Sequence, residues 1–243
     1  YVATGHYARI SYDPGKGRYL LRKAADPKKD QTYVLYGLVQ EQLAHILMPM
    51  GHFTKDETRR LAGELGLPVA DKPESQEICF IPDDDYRRFL REYLPESVRP
   101  GPILNEEGQV LGEHMGIAFY TIGQRKGLRL ATEKPLYVIG IDKGRNAIIV
   151  GPRERTLSRG LVARAVNWIP FETITDPIGA SIKIRYNSPE LEATVFPPGH
   201  GEAGPSEVEV RFSRPHGAVT PGQAVVFYDG EMVLGGGTIE RRL

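Results

Sequence analysis

Disulfide-bonded folds are excluded at once, because the 243-residue chain has a single cysteine, Cys79. A lone thiol has no partner within its own chain, and that fits a reducing cytosol. No apolar run reaches the ~18 residues that a membrane-spanning helix needs, and no secretory signal is visible. No excess of charge exists either: 31 basic residues balance 31 acidic ones. A uniformly basic, nucleic-acid-coating surface is therefore excluded, although a local basic stripe is compatible with zero net charge. Cys-x-x-Cys and His-x-x-x-His spacings are missing, so no tightly bound metal is expected. The chain has no Gly-x-Ser-x-Gly elbow. Gly235-Gly-Gly237 is not followed by Gly-Lys-Ser/Thr, so it is not a nucleotide P-loop and reads as a bulge or tight strand crossing.

What is present divides the chain by texture. Residues 1–82 read as α/β. Ala8–Tyr12 and Arg18–Arg22 flank the turn residues Asp13-Pro-Gly-Lys-Gly17, which predicts a hairpin. Apolar residues from Val34 to Leu47 recur at helical spacing. Thr54-Lys-Asp-Glu57 is a capping box for a helix over Asp56–Leu65, stopped by Gly66 and Pro68. Asp83–Asp85 open a further helix, Tyr86–Leu94, whose Arg87, Arg88 and Arg91 read as one basic face. From Arg99 onward, short strand-like runs alternate with turn signals such as Glu107-Gly108, Pro221-Gly222 and Asp229-Gly230. That pattern predicts small barrels rather than a parallel sheet. Ile117–Thr121 reads as an apolar strand, Gly151–Gly160 as a polar linker, and Pro197–Ser206 as a flexible hairpin tip. The domains expected are residues 1–82, 83–156 and 157–243. Tyr1 opens in mid-strand without a methionine, so the chain is expected to be a piece of a longer one.

Several segments carry chemistry, each beside a plainer reading. Cys79 follows the polar run Pro73-Glu-Ser-Gln-Glu77 and adjoins Ile78, Phe80 and Ile81. It is either a buried packing residue or a thiol presented for reaction. Gly5-His6 after a short strand suits close backbone approach to a ligand, or a simple turn. Lys29-Asp30-Gln31 supplies a cation, an acid and an amide suited to phosphate and base edges; equally, it is a helix entry with Asp30 as N-cap. Gln124-Arg125-Lys126, set between Gly123 and Gly127, suits a phosphate backbone or an ordinary basic turn. Arg185-Tyr186 pairs a phosphate-binding group with a stacking ring.

Read in order, these segments resemble one family. Ala3-Thr-Gly-His-Tyr-Ala-Arg9, Lys29-Asp-Gln-Thr-Tyr33, Ser75-Gln-Glu-Ile-Cys-Phe80 and Gly112-Glu-His114 are similar to motifs of the bacterial tRNA-specific 2-thiouridylases. So are Thr121-Ile-Gly-Gln-Arg-Lys-Gly-Leu128, Arg185-Tyr186, Thr220-Pro-Gly-Gln-Ala224 and Leu234-Gly-Gly-Gly237. The family's amino-terminal Ser-Gly-Gly-Val-Asp-Ser loop and first catalytic cysteine are not in this sequence.

The resemblance implies a fold: the remainder of an adenine-nucleotide α-hydrolase-like (PP-loop) domain, a small mostly-β central domain and a carboxy-terminal β-barrel. It also implies a reaction, in which Mg-ATP adenylates the C2 oxygen of the tRNA wobble uridine and sulfur then replaces that oxygen as AMP leaves. Cys79 would carry the sulfur as a persulfide received from a sulfur-donor protein, and could form a disulfide with a cysteine outside this chain. Gly5 would contact ATP. His6, Lys29, Asp30, Gln31, Arg185, Tyr186 and Gln223 would contact tRNA, and Arg125 and Lys126 are added here as phosphate contacts. Without a phosphate-binding loop the chain alone is expected to be inactive. The competing expectation is a non-catalytic RNA-binding β-barrel module, in which Cys79 is incidental. Both place the protein in the cytoplasm without a membrane partner.

Overall fold

The computed structural model describes residues 1–68, 81, 83 and 85–243. Two compact units emerge. The first combines residues 1–72, 159–215 and 221–243; the second combines 73–158 and 216–220. Among the described residues no helix is long and apolar enough to cross a membrane.

In the first unit, β1 (Val2–Ala3) pairs in parallel with β4 (Ile46–Leu47). The expected hairpin forms from β2 (Ala8–Asp13) and β3 (Arg18–Lys23), with Ala8 opposite Lys23 and Asp13 opposite Arg18. The turn closes as the Asp13 carboxylate accepts the Gly15 and Lys16 amides, an Asx-type turn.

Val34–Leu47 is not one helix. It breaks into two single turns, α1 (Thr32–Leu35) and α2 (Gln40–Leu43), with Val39 extended between them. The cause is a distant side chain: the Asn167 amide donates to the carbonyls of Tyr36 and Leu38 at 2.7 and 3.0 Å. Those carbonyls thus have partners without a continuous helix. By contrast, α3 (Lys55–Glu64) starts as expected. Thr54 Oγ1 accepts the Glu57 amide and Glu57 accepts the Thr54 amide at 2.7 Å.

Six strands close a barrel in the same unit: β9 (Leu157–Trp168), β10 (Ile178–Lys183), β11 (Leu191–Val195), β12 (Glu207–Gly217), β13 (Ala224–Asp229) and β14 (Met232–Arg242). Their order is β13-β10-β11-β12-β9-β14, and β14 returns to pair with β13. β14 also meets β3 through Met232 and Arg22, so the hairpin joins the barrel sheet. A single core follows, in which Ala8, Leu21, Tyr33, Leu35 and Leu43 pack with Ile169, Val226, Tyr228 and Val233. The α/β segment and the barrel are therefore one hydrophobic body. The Pro197–Ser206 tip is tied down rather than loose: the buried Glu209 carboxylate accepts the Glu202 amide at 2.8 Å, and Glu207 accepts the Gly204 amide at 2.9 Å.

The second unit holds α4 (Tyr86–Tyr93) and a four-stranded sheet ordered β6-β5-β8-β7. These strands are β5 (Gly101–Leu104), β6 (Val110–His114), β7 (Tyr137–Asp142) and β8 (Ala147–Gly151). Ile103, Leu128, Val138, Ile148 and Val150 form its core. Buried His114 receives the Gly116 amide on Nδ1 and meets the Asn146 carbonyl through Nε2 at 2.8 Å, so its proton sits on Nε2.

Three expectations fail in this unit. Ile117–Phe119 is a 3-10 turn rather than a strand. The Gly151–Gly160 stretch is structured, with a 3-10 turn at Arg153–Thr156, an Arg155–Glu106 ion pair and β9 starting at Leu157. The three arginines of α4 also do not share one role. Arg88 is bound to Asp83 at 2.7 Å and to Glu92 at 2.8 Å, which consumes its charge locally.

Candidate nucleic-acid interface

Two tyrosines, Tyr7 and Tyr33, organise the candidate residues of the first unit. The Gln31 side-chain oxygen accepts the Tyr7 amide at 2.9 Å, while the Gln31 amide donates to the Tyr7 carbonyl at 3.0 Å. Residues 5–7 and 29–31 are thereby clasped together. Gly5 is exposed, with open space where a Cβ would stand. Half-buried His6 shares a 2.9 Å hydrogen bond between its Nδ1 and the Thr4 hydroxyl. Asp30 is not the N-cap of α1; that position is Gln31. Instead, Asp30 accepts the Ala24 amide at 3.0 Å and the Thr32 hydroxyl at 2.6 Å. Its carboxylate thus shapes the segment that carries Lys29 and Gln31.

Tyr33, two residues on, reaches the barrel. Its hydroxyl donates to the Ala224 carbonyl at 2.9 Å, beside exposed Gln223, and its ring meets Tyr186 edge-on at 6.0 Å. Burial pushes the Tyr33 phenol up to about 12, so it remains a protonated donor at neutral pH. Burial also lowers the neighbouring Arg185 guanidinium, and Tyr33 partly offsets this. An arginine still keeps its charge at neutral pH. Tyr186 remains 42% exposed, which leaves ring surface for a base to stack on.

More cations border this face. Lys183 lies 5.9 Å from the Tyr186 ring centre, and Lys23 lies 4.5 Å from that of Tyr228. Lys23 is bound to Glu190 at 2.5 Å, and Ser181 donates to the same carboxylate. Burial pushes the Glu190 carboxyl up, but the Lys23 and Ser181 hydrogen bonds outweigh it and hold it low. Sequence reasoning misses Tyr33, Lys23 and Lys183. Tyr33 and Lys23 are hidden because their contacts span well over a hundred positions, whereas Lys183 is signalled only by lying three residues before Tyr186.

Arg125 and Lys126 belong to the second unit. Both are exposed on a loop whose Gly123 and Gly127 have φ of 87° and 83°. Gln124 faces inward: it accepts the Thr121 amide and donates to the Lys126 carbonyl at 2.9 Å. It therefore holds the loop, and the two cations flank it. Cys79 lies outside the described residues.

Chemically, the first-unit face offers cations, an exposed aromatic ring and amide groups within one compact unit. That combination suits single-stranded or looped RNA, where phosphates meet cations and unstacked bases meet rings.

Family models match three successive parts of the chain. A model described as the tRNA methyl transferase HUP domain matches residues 1–83. One described as the tRNA methyl transferase PRC-barrel domain matches 87–152, and one described as the aminomethyltransferase beta-barrel domain matches 158–239. The chain is 56% identical over 244 residues to the tRNA-specific 2-thiouridylase MnmA of Symbiobacterium thermophilum, an alignment covering 100% of the chain and 61% of that protein. It is 50% identical over 240 residues to the protein of that name from Halothermothrix orenii, covering 99% of the chain and 65% of the relative. For Pelotomaculum thermopropionicum the identity is 51% over 240 residues, with coverages of 99% and 64%. The chain thus spans 61–65% of the length of these relatives. Three consecutive family models and half-identical relatives along its whole length establish that the chain belongs to the tRNA-specific 2-thiouridylase family.

Proposed function

We propose that this chain supplies the tRNA-holding and sulfur-carrying part of an ATP-dependent tRNA-uridine 2-sulfurtransferase. The single observation that supports it most is the Tyr33 junction, which gathers the Lys29–Gln31 segment, Arg185-Tyr186 and the Gln223-Ala224 turn onto one core. In this reading His6, Lys29, Gln31, Arg185, Tyr186 and Gln223 contact the tRNA around the target base. Asp30 holds their segment in shape, and Arg125 and Lys126 contact phosphates. Gly5, with open space before it, lies against ATP.

The reaction proceeds in two stages. The uridine C2 oxygen attacks the α-phosphorus of Mg-ATP and pyrophosphate leaves. The terminal sulfur of a Cys79 persulfide, loaded by a sulfur-donor protein, then bonds to C2 as AMP leaves. A second thiol, from a cysteine outside this chain, takes the Cys79 sulfur into a disulfide and leaves the other sulfur on the base. The reaction belongs to the cytoplasm, where tRNA, ATP and a reducing thiol pool coincide.

Binding of unmodified tRNA to the 243-residue chain tests the RNA half of this reading. Tyr186→Ala is expected to weaken binding about tenfold, in line with the about 1–3 kcal/mol that stacking of one base contributes. Arg185→Ala is expected to act in the same direction. A change of less than about twofold for both would remove the first-unit face as the tRNA site.

A further inference from the structure

The second unit carries a cation cluster that the family resemblance does not account for. Four of its other arginines are neutralised locally: Arg88 binds Asp83 and Glu92, Arg99 binds Glu96, Arg145 binds Asp142, and Arg155 binds Glu106. Arg87, Arg91, Arg125, Lys126 and Arg129 differ. Among the described residues none of these five side chains pairs with a carboxylate. The balanced net charge of the whole chain therefore conceals a local excess.

Geometry joins Arg87, Arg91, Arg129 and Arg125 into one ridge, and Lys126 follows Arg125 on the same exposed loop. The Arg87 and Arg91 guanidinium groups lie 5.5 and 6.0 Å from the centre of the Phe119 ring. Phe119 is buried, and Tyr86 meets it edge-on at 6.3 Å. Arg87, Phe119, Tyr120, Gln124 and Arg129 line one small cleft. Arg129 and Arg125 continue into an adjoining open cleft of about 280 Å³, where Glu133 and Lys134 offset one another. Arg129 has φ of 55°, a left-handed backbone uncommon for a non-glycine residue. Between the two clefts the loop is braced by Gln124.

Cations lying over aromatic rings are positioned before any ligand arrives, which lowers the entropy cost of binding. Like charges held this close also repel unless an extended anion covers them. A ridge of separate donors, rather than one deep pocket, matches phosphates repeating along a backbone. We propose that this face of the second unit holds a stretch of RNA backbone, a sequence-independent contact separate from the first-unit face. The inference rests on the tRNA reading above and extends it to α4 and Arg129.

Fluorescence anisotropy with the 243-residue chain tests it, using unmodified tRNA and a short RNA hairpin of unrelated sequence. The triple variant Arg87→Gln, Arg91→Gln, Arg129→Asn removes three charges, and asparagine tolerates the left-handed position. It is expected to weaken binding of both RNAs more than tenfold at about 50 mM salt. The plot of log affinity against log salt should become shallower by about 0.9 for each duplex phosphate that the variant no longer neutralises. Arg125→Gln with Lys126→Gln, on the exposed loop, should flatten it likewise without touching α4. Arg88→Gln should leave the slope unchanged, and Arg87→Lys with Arg91→Lys should preserve it. Unaltered slopes in both the triple variant and the loop variant would overturn the inference. If Tyr186→Ala still weakened tRNA binding in that case, the tRNA reading would stand alone; a wild-type chain that binds no tRNA would end both.

Discussion

Replacing Cys79 by serine in a protein of the relatives' full length is expected to abolish tRNA thiolation while leaving tRNA affinity within about twofold. A serine hydroxyl neither accepts sulfane sulfur as a persulfide nor ionises near neutral pH, so both capture and delivery of sulfur stop. Loss of a covalent carrier costs roughly three orders of magnitude or more in turnover. Affinity is preserved because the proposed RNA contacts lie elsewhere, on the Tyr33 junction and the second unit's ridge. The assay is sulfur incorporation into tRNA with ATP and a sulfur donor, beside a binding isotherm on the same variant. Continued thiolation would reduce Cys79 to a packing residue and leave the chain an RNA-binding barrel. The 243-residue chain run in parallel is expected to bind tRNA and thiolate none of it.

A large loss of stability is expected from Gly236→Ala. A Cβ at Gly236 would stand 2.6 Å from the Val225 carbonyl oxygen and 2.7 Å from the Tyr36 ring. Neither neighbour has room to retreat. Gly236 is in register with Val226 on β13 and Asn167 on β9, and the Tyr36 carbonyl is held by the Asn167 side chain. Its neighbours are confined too: a Cβ would stand 2.2 Å from the Asn167 carbonyl oxygen at Gly235 and 2.7 Å from that of Arg164 at Gly237. The triple glycine lets β14 pass between two barrel strands while the α/β segment packs on top.

Overpacking of this kind costs about 3 kcal/mol or more, since backbone rather than a flexible side chain must yield. For a chain of this size the melting temperature should fall by roughly 6–12 °C. Gly179→Ala in β10 is the control: its Cβ would meet nothing within 4 Å, and it should be near neutral. Equal melting temperatures for the two variants would refute the strand-crossing account.

Local chemistry makes part of this architecture legible in the sequence. The Asp13–Gly17 turn, the Thr54–Glu57 capping box and the barrel's short β runs carry their signal within a few residues and form as expected, whereas the apolar run Ile117–Thr121 does not form a strand. Gly235–Gly237 is legible as a strand crossing too, because a glycine run inside a strand has few other uses. Expectation and structure part where a distant partner decides. Leu35, Leu38 and Leu43 mimic a helical stripe, yet Asn167, some 130 positions away, takes the carbonyls at the break. The α4 arginines look alike in sequence, although the Arg88–Glu92 spacing of four is a recognisable pairing signal. Tyr33 is invisible as a site residue for the same reason as Asn167: its partners, Ala224 and Tyr186, lie in the barrel.

Amide hydrogen exchange of the 243-residue chain with and without unmodified tRNA tests most directly whether the α/β segment and the barrel form one RNA-holding face. Slower exchange is predicted together at residues 28–33, 184–187 and 222–224, and all three segments should lose that protection in Tyr186→Ala. Protection confined to one segment, or surviving that substitution, would contradict the account.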